Sequence, residues 1–161
     1  MVTSQHTRSE DDPEVRPVVR QVVLDCSDPR ALAEFYRELL GYRYRPGDEL
    51  PPAGEPDPRG GDWLVLRPRN DDPRGDRGLA FQYDETYLPP EWSADSSRGP
   101  TGRPQMLHLD MTVPNAQALF QARDRALGLG ATVLHDRAAD PAEPLYVFAD
   151  PMGHPFCIFV G

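Results

Sequence analysis

The chain has 161 residues, about one domain by length and enough to bury a hydrophobic core. Its formal net charge of −9, with no basic stripe, zinc-finger spacing or phosphate-cradling glycine loop, argues against nucleic acid or anionic membrane as partner. No apolar run approaches the roughly 18 residues of a membrane span. Of the 19 prolines, 13 gather around 13–17, 46–58, 68–73 and 89–104, where they mark a tail and long loops, since proline continues neither a helix nor a central strand.

Residues 1–16 have no apolar stretch of the signal-peptide kind and read as a solvated tail ahead of one domain over 17–161. With no export signal, the two cysteines, Cys26 and Cys157, are expected as free thiols in a reducing cytoplasm. The run Arg20–Cys26 then reads as a buried strand. Asp28 and Pro29 supply an N-cap and a first helical position. Leu32, Phe35, Tyr36, Leu39 and Leu40 recur at helical spacing until Gly41 stops the run, so a helix is expected over Pro29–Leu40. Trp63–Leu66 and Gly78–Tyr83 follow as strands, separated by a long loop around 67–77 and preceded by another around 47–61.

The second half repeats the first. Placing Gln21 over His108, an offset of 108 − 21 = 87, puts Asp28 on Asn115, Leu32 on Leu119, Leu40 on Leu127 and Gly41 on Gly128 without a gap. A second helix is therefore expected over Asn115–Leu127, and Leu145–Phe148 with Pro155–Phe159 echo the two later strands. Caps, stops and apolar phases seldom align together by chance. Module one spans about 17–90 and module two about 104–161.

QVVLDCSDPRALAEFYRELLGYRY, MLHLDMTVPNAQALFQARDRALGLGATVL and the closing YVFADPMGHPFCIF resemble the module openings and final hairpin of the vicinal oxygen chelate superfamily, in particular its glyoxalase-like and bleomycin-resistance-like members. The resemblance implies an α+β fold of two βαβββ modules, forming a cupped mixed sheet around one pocket, and a homodimer. It does not choose a reaction, because the superfamily hosts many.

Alternate strand residues share a face. With Gln21 toward the cup, Val23 and Asp25 follow it, while Val22, Leu24 and Cys26 pack on the helices. In the second module His108, Asp110 and Thr112 face the cup. Metal-binding members of the family take one ligand from the first and last strand of each module, and those places here are Gln21, Gln82, His108 and Cys157. Glutamine and cysteine stand at 82 and 157, where the resemblance calls for glutamate. A cofactor-free cup is therefore expected, with a divalent metal (zinc, nickel, iron or manganese) as the alternative, and glyoxalase I activity itself is not expected. His108, Asp110 and Cys157 are the candidate catalytic residues: His108 has the pKa range for proton transfer, and Cys157 serves only if its thiol is activated. His108 can equally be a metal ligand or a hydrogen-bond anchor. Gln21, Asp25, Trp63, Gln82, Trp92 and Tyr146 are the candidate substrate contacts, aromatic walls with a few polar groups being the usual form of a small-molecule site. His6, His135 and His154 read as tail, loop and turn.

Two functions fit this reading. One is an enzyme moving a proton on a small organic molecule, of isomerase or lyase type. The other is a metal-free protein that sequesters a small molecule such as an antibiotic.

Overall fold

In the computed structural model, which describes residues 17–69, 77–93 and 103–161, each half of the chain builds the same unit. The expected tail at 1–16 lies outside the described residues. Strand β1 (Gln21–Cys26) leads to Asp28, whose carboxylate accepts the Ala31 N–H at 2.9 Å and caps helix α1 (Pro29–Leu40). Gly41 ends the helix at φ +70°, a left-handed conformation that side chains with a Cβ adopt only at a cost. Strands β2 (Arg43–Tyr44), β3 (Trp63–Arg67) and β4 (Gly78–Tyr83) complete the first module. Its sheet runs in the order β1-β4-β3-β2, with β1 parallel to β4 and the remaining pairs antiparallel.

The second module holds β5 (Leu109–Val113), α2 (Ala116–Gly128), β6 (Thr132–Asp136), β7 (Leu145–Ala149) and β8 (Pro155–Val160), in the sheet order β5-β8-β7-β6. Asn115 caps α2 as Asp28 caps α1, accepting the Ala118 N–H at 2.9 Å. The two βαβββ modules and their helices stand where the 87-residue repeat puts them. Two details differ. Gly128 is the last helical residue rather than the stop, because Leu129 N–H still reaches the Arg125 carbonyl, and the positive φ falls on Gly130 instead. His135 is a strand residue of β6, beside a register shift, not a loop residue. The cup is formed by two four-stranded mixed sheets, one from each module, as the resemblance implies.

One core serves both modules. Tyr36 of α1 stacks on Phe81 of β4 at 5.8 Å and meets Phe156 of β8 edge-on at 6.3 Å. Phe35 lies 5.9 Å from Phe156, and Phe148 stacks on Phe156 at 5.1 Å. Each such side chain, removed from water, contributes about 1.5–3 kcal/mol, so this aromatic seam ties the halves together more firmly than any surface pair.

A polar clamp sits beside the seam. The Asp150 side chain, fully buried, accepts the Tyr36 hydroxyl at 3.0 Å and the backbone N–H groups of Met152 and His154 at 2.9 and 3.0 Å. His154 Nδ1 lies 3.0 Å from the same carboxylate, and its Nε2 lies 2.9 Å from the carbonyl of Asp25 in β1. Burial first, then the Asp150 charge, pushes the Tyr36 phenol well above its usual range. Sequence reading leaves His154 in a turn; in the fold it joins the second module to the first strand.

Candidate functional site

Register across each sheet decides which candidates share a face. In the first sheet Asp25 pairs with Gln82 and Gln82 with Trp63, so these three form one row, and Gln21 stands on the same face two steps of the pleat away. Leu24 and Cys26 point the other way and are buried, as the alternation demands, whereas Val23, Asp25 and Gln82 are exposed. Gln21 buries its side-chain oxygen without a hydrogen-bond partner.

In the second sheet the corresponding row reads Asp110, Cys157, Val147, His135, by the pairings of β5 with β8, β8 with β7 and β7 with β6. His108 immediately precedes β5. Its Nε2 lies 3.2 Å from Asp110 Oδ1, and its Nδ1 lies 2.6 Å from the Gln105 side-chain nitrogen. Gln105 donating to Nδ1 leaves the ring hydrogen on Nε2, aimed at the Asp110 carboxylate. One ligand-capable atom from each of His108, Asp110 and Cys157 lies within 4.8 Å of the other two, the one such group of three among the described residues. Desolvation, followed by the Asp110 charge and a hydrogen bond to its carboxylate, pushes the Cys157 thiol up to about 11. The thiol is thus protonated near neutral pH, and the local field does not activate it as a nucleophile. Cys26, buried on the helix face, is pushed up to about 12, chiefly by desolvation.

The fold therefore brings His108, Asp110 and Cys157 together and sets Gln21, Asp25, Trp63 and Gln82 on the other sheet. Trp92 reaches the second sheet from the connector, its ring 5.8 Å from His135 at the far end of the Asp110 row. Tyr146 is placed differently from the expectation. It pairs with Ile158 on the helix face, is 2% exposed, packs 5.7 Å from Phe148, and its hydroxyl accepts from Arg123 at 3.2 Å. A side chain so enclosed forms part of the core and not of the cup wall. Gln105 was missed by sequence reading, because it lies in an irregular approach to β5 where no periodicity assigns a face.

Two cavities adjoin these residues. One of about 450 Å³ lies between the end of α1, helix α2 and the edge of β5, with Leu39, Met111, Val113, Arg125 and Asp110 among its lining. A smaller one of about 250 Å³ lies beside β1 and the connector, lined in part by Val23, Asp25, Tyr87, Arg103, Leu107 and His154. The larger volume falls within the range of small-molecule sites, and Asp110 is the member of the cluster that reaches it. Asp84, by contrast, is engaged within its own turn, where one carboxylate oxygen accepts both the backbone N–H and the hydroxyl of Thr86 at 2.7 Å. No helix among the described residues is long and apolar enough to cross a membrane.

The model of the glyoxalase-like domain family matches residues 21–159. No curated protein matches the chain. Among solved structures, a glyoxalase/bleomycin resistance protein/dioxygenase family enzyme from Burkholderia phytofirmans PsJN is 16% identical, with a TM-score of 0.57 over 88% of this chain and 97% of that one. A lactoylglutathione lyase from Agrobacterium tumefaciens is 16% identical, with a TM-score of 0.55 over 92% and 96%. A fosfomycin resistance protein from Mesorhizobium loti is 11% identical, with a TM-score of 0.57 over 92% and 94%. At these identities the likeness is one of fold.

Proposed function

Since the chain belongs to the glyoxalase-like domain family of the vicinal oxygen chelate superfamily, we propose that it binds a small organic molecule against its cupped sheets and moves a proton on it, in isomerase- or lyase-type chemistry. The observation that carries this reading is the contact of His108 Nε2 with Asp110 Oδ1 at 3.2 Å on an exposed strand face. Asp110 is the proton acceptor, reachable from the larger cavity. His108, held from behind by Gln105, steadies the carboxylate's charge through its Nε2–H and orients it. The Cys157 thiol donates to the same carboxylate from the next strand. Such a pair suits a carbon acid, a C–H beside a carbonyl, whose proton is taken and returned at a neighbouring atom. A divalent ion, when bound, supplies Lewis-acid polarisation of a carbonyl oxygen; His108, Asp110 and Cys157 are the residues that would hold it. Gln21, Asp25, Trp63, Gln82 and Trp92 are the substrate contacts of this reading, which also takes the protein as cytoplasmic and homodimeric. Cell fractionation and light scattering of the purified chain check those two points.

The test is deuterium wash-in. Incubation in D₂O with a panel of α-hydroxy and α-keto carbonyl compounds, followed by NMR, should find a compound that exchanges its α-proton. Asp110→Asn should slow that exchange by roughly 10²–10⁴-fold. Exchange that Asp110→Asn leaves untouched would overturn the assignment. A second reading, sequestration of a small molecule without turnover, draws on Gln82 and Cys157 standing where acids would serve catalysis. It predicts quenching of Trp63 or Trp92 fluorescence by a flat aromatic compound, with no exchange in any compound of the panel.

A further inference from the structure

We propose that His154 works as a proton-held latch between the modules: its ring grips the Asp150 carboxylate and strand β1 at once, and must release one of them when it loses a proton. Nε2 lies 2.9 Å from the Asp25 carbonyl, an atom that can only accept, so Nε2 carries a hydrogen. Nδ1 lies 3.0 Å from Asp150 Oδ2, in a carboxylate that already accepts the Tyr36 hydroxyl and two backbone N–H groups. That group is an acceptor too, so Nδ1 carries a second hydrogen. A neutral ring has one hydrogen to offer, and in either tautomer it would turn a nitrogen lone pair on an oxygen. The latch therefore holds one proton more than a neutral imidazole beside a carboxylate.

The surroundings suit a cation. Tyr87 lies against the ring, with centroids 5.1 Å apart and planes 32° from parallel, within reach of cation–π attraction. Asp25 and Asp84 line the cavity of about 250 Å³ that His154 also lines, with Arg103 as the opposing charge. The Tyr36 phenol and the Cys26 thiol, which also feel the Asp150 charge, are held neutral chiefly by burial and add no competing charge. The ring is 15% exposed and the carboxylate fully buried, so water does not readily replace either contact. Asp150 and His154 belong to the turn before β8, and Asp25 to the first-sheet row with Gln82 and Trp63, so one proton tightens or loosens β1 against the second module. The folded chain keeps a proton that the unfolded chain gives up around the ordinary histidine value of about 6.5. The latch's stabilisation is therefore complete below that value and declines as the pH rises above it. It is a device of the fold and does not depend on the proposed reaction.

Nitrogen-15 NMR of the full chain at pH 7.5 reads the latch directly. Both His154 ring nitrogens should show the protonated signature, whereas a free imidazole is mostly neutral at that pH. Urea titrations at pH 6 and pH 8.5 give a second reading. Over that interval the unfolding equilibrium constant of the wild type should rise about tenfold more than that of His154→Gln, which keeps a side-chain donor but has no proton to lose. Every other titrating group is common to the two proteins, so the difference belongs to His154. A ring with one bare nitrogen at pH 7.5, or parallel pH profiles in the two proteins, overturns the latch. If His154→Gln does not fold, ring protonation in the wild-type chain decides alone.

Discussion

Replacing Asp150 with alanine tests whether the polar clamp between the modules stabilises the fold or merely decorates it. The carboxylate has no solvent exposure and serves Tyr36, His154 and two backbone N–H groups at 2.9–3.0 Å. The backbone groups belong to a partly exposed turn and can recover water. Tyr36, 0% exposed, cannot, and its orphaned hydroxyl alone costs about 1–3 kcal/mol. Losing the His154 contact brings the expected total for Asp150→Ala to about 3–5 kcal/mol. Tyr36→Phe removes a single charge-assisted bond without leaving a buried donor, and should cost about 1.5–3 kcal/mol. Because both changes delete the same bond, the double variant should be more stable than the sum of the singles predicts, by about 1–2 kcal/mol. Urea titration of the four proteins at neutral pH measures this, and the Asp150→Ala melting temperature should fall by roughly 6–20 °C for a chain of this size. An Asp150→Ala loss under 1 kcal/mol, or strictly additive effects, would refute the claim that the buried carboxylate fastens α1 to the second module.

Three further expectations concern single residues. Arg30 grips Asp57 through two bonds of 2.7 and 3.0 Å and the Asp48 carbonyl at 2.9 Å, holding the long loop to α1, and the guanidinium depresses the Asp57 carboxyl below its usual range. Its stabilisation is therefore complete above the ordinary carboxyl value near 4 and fades as pH falls through the depressed one, so Asp57→Asn should cost about 1 kcal/mol at pH 7 in urea titrations and progressively less as the pH is taken below 4. Gly41→Ala meets no atom within 4 Å, so its cost is purely conformational, about 1–2 kcal/mol by thermal melting; a neutral result would mean the helix end had shifted. Iodoacetamide at pH 8 should label half-buried Cys157 well before buried Cys26, and both more slowly than free cysteine, because the thiols are pushed up to about 11 and 12; peptide mass mapping over time decides it.

Much of the architecture can be read from local pattern alone. The 87-residue repeat carries two strand–cap–helix units, and both caps and both helices form as spaced. Alternation in Gln21–Cys26 correctly separates buried Leu24 and Cys26 from exposed Val23 and Asp25, because a half-buried strand writes its two faces into successive residues. The same rule is silent for Leu145–Ala149, where Tyr146, Val147 and Phe148 are all buried and nothing alternates. Tyr146 consequently joins the core while Val147 shares the face of Cys157. The site is divided in the same way. His108 and Asp110 are visible as neighbours from a spacing of two residues, although His108 stands just before β5 and not within it. That Cys157 stands opposite Asp110 depends on the register of two strands 47 positions apart, and the clamp joining Tyr36 to Asp150 spans 114. Period and capping are properties of adjacent residues, and the chain carries them wherever it goes. Register and the meeting of modules arise only when distant segments pack, so tertiary structure alone decides which donors converge.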